Sequence, residues 1–229
     1  MFKLIRLEWK KNNVWKYIRN AVIVVAFIIP LILGTARELE GDEVMASYGQ
    51  SMMNLGIEIF MNMCFIVFTG VMLSSFIVSA YENKTMSLMF SYPIRRWKVM
   101  VSKMLAVWIF NFIAMAAGKL LVCAVVVLTR EYTHIAAESI RFDQASLYLQ
   151  ILINSALMVS VSFLALPVGL AARSSKAAIV ASVVIVCFTQ GQIGEFTLSG
   201  NLDFYILLIA LAAVSVFLSL WRIEMRDVG

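Results

Sequence analysis

The side chains that most often perform chemistry are few in this chain, and their spacing does not form a site. The sequence has three cysteines and one histidine. Cys64, Cys123 and Cys187 each lie in an apolar stretch, where a free thiol behaves as a small apolar side chain. His134 has no second Cys or His at the spacing that metal ligands require. The sequence therefore predicts no metal site and no disulfide framework.

The sequence patterns of hydrolases and of ATP-binding proteins are also missing. The chain contains no HExxH and no GxSxG motif. A phosphate-binding loop needs a glycine five residues before Gly118 and a Ser or Thr after Lys119, but Ile113 and Leu120 occupy those positions. Acidic residues and histidines do not cluster in any apolar stretch, which argues against a membrane-bound enzyme. We expect no catalytic site, no cofactor and no nucleotide-binding domain in this chain.

Two charged residues, Glu58 and Lys119, lie well inside long apolar stretches. At about 1.5 Å per helical residue, both are about 10 to 15 Å from the same end of their helices. A charge without a partner is costly inside a bilayer, so we predict an intramembrane ion pair between them. Two roles stay open for this pair, a purely structural one and a place in a transport path.

The elements that hold these residues are predicted from composition. With 62% hydrophobic and 14% charged residues, a chain of this length has more apolar surface than a soluble core can bury. A helix needs about 20 mostly apolar residues to cross a bilayer. The charges separate six such stretches, and the predicted spans are 21–35 (with 15–20 as a polar extension), 52–80, 104–129, 145–172, 177–193 and 204–221. A cleaved signal peptide is the alternative for the first span, but no small-residue cleavage pattern follows it.

The distribution of basic residues predicts the orientation. Fifteen of the 19 Lys and Arg residues fall in segments that would share one side of the membrane, whereas Arg37, Arg130 and Arg141 fall on the other side among many acidic residues. Basic segments stay in the cytoplasm. We therefore predict an all-α membrane protein, a single transmembrane domain over 1–229, with both termini cytoplasmic. The net charge of +5 then reflects topology and contact with membrane lipid, and does not indicate nucleic-acid binding.

Residues 1–20 have the pattern of an amphipathic helix that lies at the inner membrane surface. Basic residues surround an apolar stripe made of Leu4, Leu7, Val14, Trp15 and Ile18. The alternative is a segment that only anchors the topology.

The connection between the second and third spans, residues 81–103, is the largest predicted cytoplasmic segment. It reads YENKTMSLMFSYPIRRWKVMVSK. The residue before a proline disfavours helix, so we predict a break at Tyr92-Pro93 and a new helix from Arg95-Arg96 onward. Such a turn between two helices would present a rigid surface to a soluble partner, although an ordinary polar loop would have the same composition.

This run resembles the first intracellular loop of ABC transporter permeases of the type-2 exporter class, which are six-helix bacterial permeases. The resemblance rests on Glu82, Thr85, the Ser91-Tyr92-Pro93-Ile94 sequence, the basic residue after it, and Lys103 at the start of the next span. It departs from the family at Lys84, where a glycine often precedes the threonine.

The resemblance implies the permease subunit of an ATP-driven exporter in the bacterial plasma membrane. Two such chains, as a homodimer or heterodimer, would form the path, and two copies of an ABC ATP-binding subunit would bind ATP and Mg. The implied cargo is a hydrophobic or antimicrobial peptide, or a lipophilic drug. The residues that it implies for docking the ATPase are Glu82, Thr85, Tyr92, Pro93, Arg95 and Arg96, of which the two arginines are alternatively lipid anchors.

An ATP-independent channel or secondary transporter is the alternative function. Such proteins usually have internal repeats and more polar groups inside their spans than this sequence has. In either case, Pro167 and Gly169 predict a kink, and so a possible hinge, near the inner end of the fourth span. Residues 190–200 are polar and rich in glycine, and they either re-enter the membrane in part or form an exposed loop.

Overall fold

The fold is given by a computed structural model that describes residues 2–39, 52–82, 96–133, 145–190, 192–193, 196–197, 207–208 and 210–217. Helix α1 is Phe2–Lys11 and α2 is Val14–Leu39; α3, Met52–Leu73, continues through a π-helical segment, Ser74–Val78, into α4, Ser79–Glu82. Helix α5 is Arg96–Thr133, α6 is Ala145–Ser162, α7 is Ala165–Ala172 and α8 is Ser175–Gln190. The described helical residues between 207 and 217 form α9.

A two-residue ladder follows α8. Strand β1, Gln192–Ile193, pairs antiparallel with β2, Phe196–Thr197, so that Gln192 lies opposite Thr197. Of the predicted segment 190–200, the structure describes Gln190 and the residues of these two strands.

Within the described ranges, four helical stretches are long and apolar enough to cross a membrane. They are Val14–Thr35, Asn54–Glu82, Trp97–Thr129 and Leu147–Ala172. Helix α8 is apolar as well but has 16 residues. The predicted all-helical class is therefore confirmed, and these four stretches coincide with the first four predicted spans. Parts of the predicted sixth span, residues 204–206, 209 and 218–221, lie outside the described residues.

Helix α3 is the centre of the bundle, because α2, α5, α6 and α8 all pack against it. Its buried side chains include Met61, Phe65 and Met72. Close approach to α8 depends on Gly70, where a Cβ atom would lie 2.4 Å from the Cβ of Ser182. Small residues at such crossings let two helix backbones pack tightly.

The predicted helix over 1–20 is two helices, which meet at Asn12-Asn13. The Nδ2 of Asn12 donates to the backbone oxygen of Glu8 at 3.1 Å, and Asn13 has a φ of 56°. Asparagine adopts this left-handed conformation more readily than most residues, and it often ends a helix. Residues 14–20 therefore belong to the same helix as the first apolar stretch.

The apolar stripe predicted on this region does not face the bundle. Ile5 and Glu8 are the buried side chains of α1, whereas Leu7 and Trp15 are 61% and 78% exposed. The exposed side chains are free to contact lipid, as predicted for an interfacial helix, but α1 is held to the bundle by its other face.

The fourth predicted span is interrupted at Phe163-Leu164, just before Pro167. Helix α6 ends at Ser162 and α7 begins at Ala165, with a tighter turn between them. Because proline has no N–H, Pro167 cannot donate to the backbone oxygen of Phe163. That oxygen instead accepts from the N–H of Leu166 at 3.0 Å and from the Oγ of Ser215 on α9 at 3.3 Å.

Gly169 has a packing role in this structure. A Cβ atom there would lie 2.7 Å from the Cβ of Ala178 and 3.0 Å from a methyl group of Val78. The glycine therefore lets α7 lie against α8 just before the sharp turn that joins them, in which Arg173 has a left-handed φ of 49°. Whether Pro167 and Gly169 also move as a hinge stays a prediction.

Candidate functional site

Two polar clusters stand out within the apolar bundle. We call the end of the bundle where α4 ends and where α5 and α8 begin the basic end, after Lys98, Arg173 and Lys176. The basic-end cluster flanks the segment 83–95, which lies outside the described residues. The second cluster contains Glu58 and Lys119, toward the opposite end.

The basic-end cluster is built around a buried ion pair between Glu8 and Lys103. The Nζ of Lys103 lies 2.8 Å from the Oε2 of Glu8, and the two side chains are 2% and 9% exposed. The same Nζ also donates to the backbone oxygen of Phe76 at 3.2 Å. One ammonium group thus joins α1, α5 and the π-helical segment.

Helix α1 supplies the carboxylate because its inner face packs against α5. The indole nitrogen of Trp9 donates to the backbone oxygen of Ala106 at 3.1 Å. One turn after Glu8, the Nδ2 of Asn12 donates to the Glu8 carboxylate at 3.3 Å. A buried ion pair is favourable when further hydrogen bonds satisfy its remaining polar atoms, and Asn12 and Phe76 supply such bonds here.

The π-helical segment supplies contacts to the basic-end cluster through its backbone and side chains. A π-helical turn holds one more residue than an α-helical turn, and such turns are frequent at functional sites. Within it, Ser75 forms a hydroxyl hydrogen bond of 2.6 Å with Tyr17 of α2, whose ring packs edge-on against Phe76 at 5.3 Å. Side chains of α2 and α5 therefore meet at Ser74–Val78.

Glu82 connects the end of α4 to the start of α8. Its Oε2 accepts hydrogen bonds from the backbone N–H of Ser175 at 3.1 Å and from the Ser175 hydroxyl at 2.6 Å. The first N–H groups of a helix have no partner within the helix, and a carboxylate there is stabilised by the helix dipole. The Oγ of Ser74 donates to the backbone oxygen of Ser175 at 3.0 Å and adds a second contact.

The helices that flank residues 83–95 each have polar contacts with other parts of the bundle. Before this segment, Glu82 holds α8; after it, Lys103 holds α1 and the π-helical segment. Among the predicted docking residues, Thr85, Tyr92, Pro93 and Arg95 lie outside the described residues. Arg96 is the first residue of α5, and Glu82 is exposed with its carboxylate bound to Ser175.

The second cluster places Glu58 and Lys119 on either side of Asn154 of α6. The Nζ of Lys119 donates to the Oδ1 of Asn154 at 2.7 Å, and the Nδ2 of Asn154 donates to the Oε2 of Glu58 at 3.4 Å. The predicted residues are thus brought together. A neutral amide lies between the two charges that we predicted to form an ion pair.

Sequence reasoning missed Glu8 and Asn154. Ile5, Glu8 and Asn12 recur at helical spacing, and that pattern could have indicated a second, partly polar face on α1. Asn154 is one of several polar residues in α6, and only the rotation of that helix turns it toward Lys119. Among the described residues, no group of three or more His, Cys, Asp or Glu side chains could hold a metal ion.

Comparison with known proteins gives one relative over nearly the whole chain. The sequence is similar to the uncharacterized protein YcbO of Bacillus subtilis (strain 168), with 28% identity over 234 aligned positions that cover 98% of this chain and 97% of the relative. No protein-family model and no solved structure matches the chain.

Proposed function

We propose that this chain is the membrane-spanning permease subunit of an ATP-driven exporter. In this proposal it has six spans and cytoplasmic termini, sits in the plasma membrane of a bacterium, and pairs with a second permease chain. Two copies of a separate ATP-binding subunit bind ATP and Mg and hydrolyse the nucleotide. The family resemblance of residues 82–103 is the origin of the proposal.

The structural observation that supports it most is that polar contacts of Glu82 and Lys103 tie the helices on both sides of residues 83–95 to the rest of the bundle. A loop that only connected two spans would need no fixed geometry at its ends. Here, a force applied to the segment acts through Glu82 on α8, and through Lys103 on α1 and the π-helical segment. Both sides of the loop therefore lead into the packed bundle.

The mechanism follows from these attachments. Nucleotide binding draws the two ATPase subunits together and displaces the docked loops. Packed helices move as rigid elements between discrete arrangements, so the displacement changes the path between the two permease chains. In this account Glu82 and Lys103 are positioning residues that couple the loop to the bundle.

A channel or secondary transporter is the second candidate, and the Glu58, Asn154 and Lys119 cluster is the observation that favours it. Polar and charged groups inside spans often mark ion or substrate paths. Such a protein would work without an ATP-binding partner.

Co-purification tests the proposal. The detergent-solubilised protein is co-expressed with the ATP-binding protein encoded beside it, and the complex is isolated through a tag on this chain. We expect a stable complex for wild type and for Gly34→Ala, since a side chain at Gly34 meets nothing within 4 Å. Replacement of Tyr92 and Pro93 by alanine is expected to release the ATPase. If no ATP-binding protein associates with the wild-type chain, the channel or secondary transporter becomes the better account.

A further inference from the structure

Two clusters of Lys and Glu lie in the described part of the bundle, and they differ in how completely their charged groups are hydrogen-bonded. Lys103 contacts Glu8 directly and also donates to a backbone oxygen, while Glu8 accepts a further bond from Asn12. Among the described residues, the Nζ of Lys119 donates one hydrogen bond, although an ammonium group has three N–H donors. The Glu58 carboxylate accepts one bond, at 3.4 Å. In the first cluster each charged group has several hydrogen-bonding partners. In the second, N–H donors of Lys119 and acceptor positions of Glu58 remain unused among the residues that the structure describes.

One further polar atom beside the second cluster lacks a partner in the part of the chain that the structure describes. Asn62 follows Glu58 by one helical turn and so lies on the same face of α3. Its side chain is 3% exposed, and its Oδ1 has no hydrogen-bond partner in the described part of the chain. Buried polar atoms normally have hydrogen bonds, so an unpartnered Asn62 carbonyl on the same helix face as the Glu58 carboxylate indicates a ligand.

The cluster can be reached from the surface of the bundle. Lys119 is 1% exposed, whereas Glu58 and Asn154 are only half-buried. A molecule that approaches between α3 and α6 therefore meets the carboxylate and the amide. If it displaces the Asn154 amide, it gains access to both charges.

The groups with unused hydrogen-bonding capacity define the chemistry of the ligand. On one side, the Glu58 carboxylate and the Asn62 carbonyl only accept hydrogen bonds, which suits a primary ammonium with its several N–H donors. On the other side, the Lys119 ammonium suits an oxyanion. A ligand with both groups is neutral overall, so it brings no net charge into the apolar bundle.

We propose that Glu58, Asn62, Asn154 and Lys119 form a binding site for the headgroup of a zwitterionic amphiphile that has a primary ammonium and a phosphate. The ammonium binds Glu58 and Asn62, and the phosphate binds Lys119. This inference rests on the proposed function, because it names the class of cargo that the exporter carries. Its test involves no ATPase, so it can fail while the coupling proposal stands.

The test measures lipid retention by the purified protein in detergent, by native mass spectrometry. Three lipids with the same acyl chains are compared: phosphatidylethanolamine, phosphatidylcholine, which has no N–H donor, and phosphatidylglycerol, which has no cation. Because hydrogen bonds to charged groups are strong, we expect phosphatidylethanolamine to be retained about tenfold better than either of the others. Glycerophosphoethanolamine, the water-soluble headgroup, is expected to compete for the site.

Asn62→Leu is the most informative variant, because it removes the unpartnered acceptor at similar volume and leaves the Glu58 and Lys119 contacts in place. It should fold and lose the preference for phosphatidylethanolamine, as should Glu58→Gln. Asn111→Leu, a second buried asparagine that lies elsewhere on α5, is the matched control and should keep the preference. Equal retention of the three lipids, no competition by the free headgroup, or a preference that survives Asn62→Leu would overturn the proposal.

Discussion

At the scale of single residues, the chain shows how the surroundings of a buried charge decide its role. Glu8 and Lys103 are in direct contact and have further hydrogen bonds, so the pair holds three elements together. Glu58 and Lys119 are kept apart by Asn154. The same two residue types therefore form a structural joint at one end of the bundle and an incompletely satisfied site toward the other.

The ion pair between Glu8 and Lys103 leads to a prediction about the free energy of unfolding. Lys103→Met leaves the Glu8 carboxylate buried without its cation, and we expect a loss of about 3 kcal/mol or more in the free energy of unfolding. The double variant Glu8→Leu and Lys103→Met removes both charges and should be less destabilised than the sum of the single changes. Unfolding by denaturant in mixed micelles measures each value.

Lys98→Met is the matched control for that cycle, since Lys98 is an exposed lysine five residues earlier on the same helix. It should change the stability by less than about 0.5 kcal/mol. Additive losses from Glu8→Leu and Lys103→Met would show that the two residues do not act as a pair.

These residue contacts could be predicted only in part from the sequence. Glu58 and Lys119 are conspicuous because a charge in an apolar run requires a partner, and counting residues gives each one its depth. Asn154 is inconspicuous, since an asparagine in an apolar helix reveals nothing of the direction in which it points. Glu8 could not be singled out, because the sequence does not state which face of a short helix meets the bundle.

At the scale of secondary-structure elements, the crossing of α3 and α8 at Gly70 leads to a prediction about stability. Gly70→Ala would place a Cβ atom 2.4 Å from the Cβ of Ser182, so α3 and α8 must separate or rotate. We expect a destabilisation of about 1 to 3 kcal/mol, which Ser182→Gly should largely reverse. Thermal unfolding in detergent provides the measurement. Gly34→Ala is the control, and an equal loss at both glycines would mean that the crossing is not the cause.

The break between α6 and α7 makes a second prediction at this scale. Ser215 of α9 donates to the Phe163 oxygen that Pro167 leaves unpaired. Ser215→Ala should therefore cost about 1 kcal/mol in the wild-type background. In the Pro167→Ala background, the restored N–H can bond that oxygen, so the same change should cost much less. A double-mutant cycle by denaturant unfolding checks this, and equal costs in both backgrounds would refute the link.

The elements differ in how well the sequence predicts them. The break near Pro167 was predictable, because a proline removes one defined hydrogen bond. The π-helical segment Ser74–Val78 was not, since no residue in it forces an extra residue into the turn. Its contacts with Tyr17 and Lys103 come from other helices, which only the folded chain brings into place.

At the scale of the whole molecule, the helical class and four long apolar helices follow from composition and spacing alone. The orientation of those helices is a further prediction, made from the distribution of Lys and Arg. In a variant without Cys64, Cys123 and Cys187, a single cysteine at position 88 should react with a membrane-impermeant maleimide only after the cells are opened. A cysteine at position 45 should react in intact cells. The reverse pattern would invert the topology.

Coupling between the segment 83–95 and the bundle is the central claim, and the ATPase rate of the reconstituted complex tests it most directly. Glu82→Ala removes the acceptor for both Ser175 hydrogen bonds and leaves residues 83–95 unchanged. The account predicts that this variant still binds the ATP-binding subunit but no longer changes its ATPase rate as the wild-type chain does. An ATPase rate equal to that of the wild-type complex would contradict it, because the loop would then act without its connection to α8.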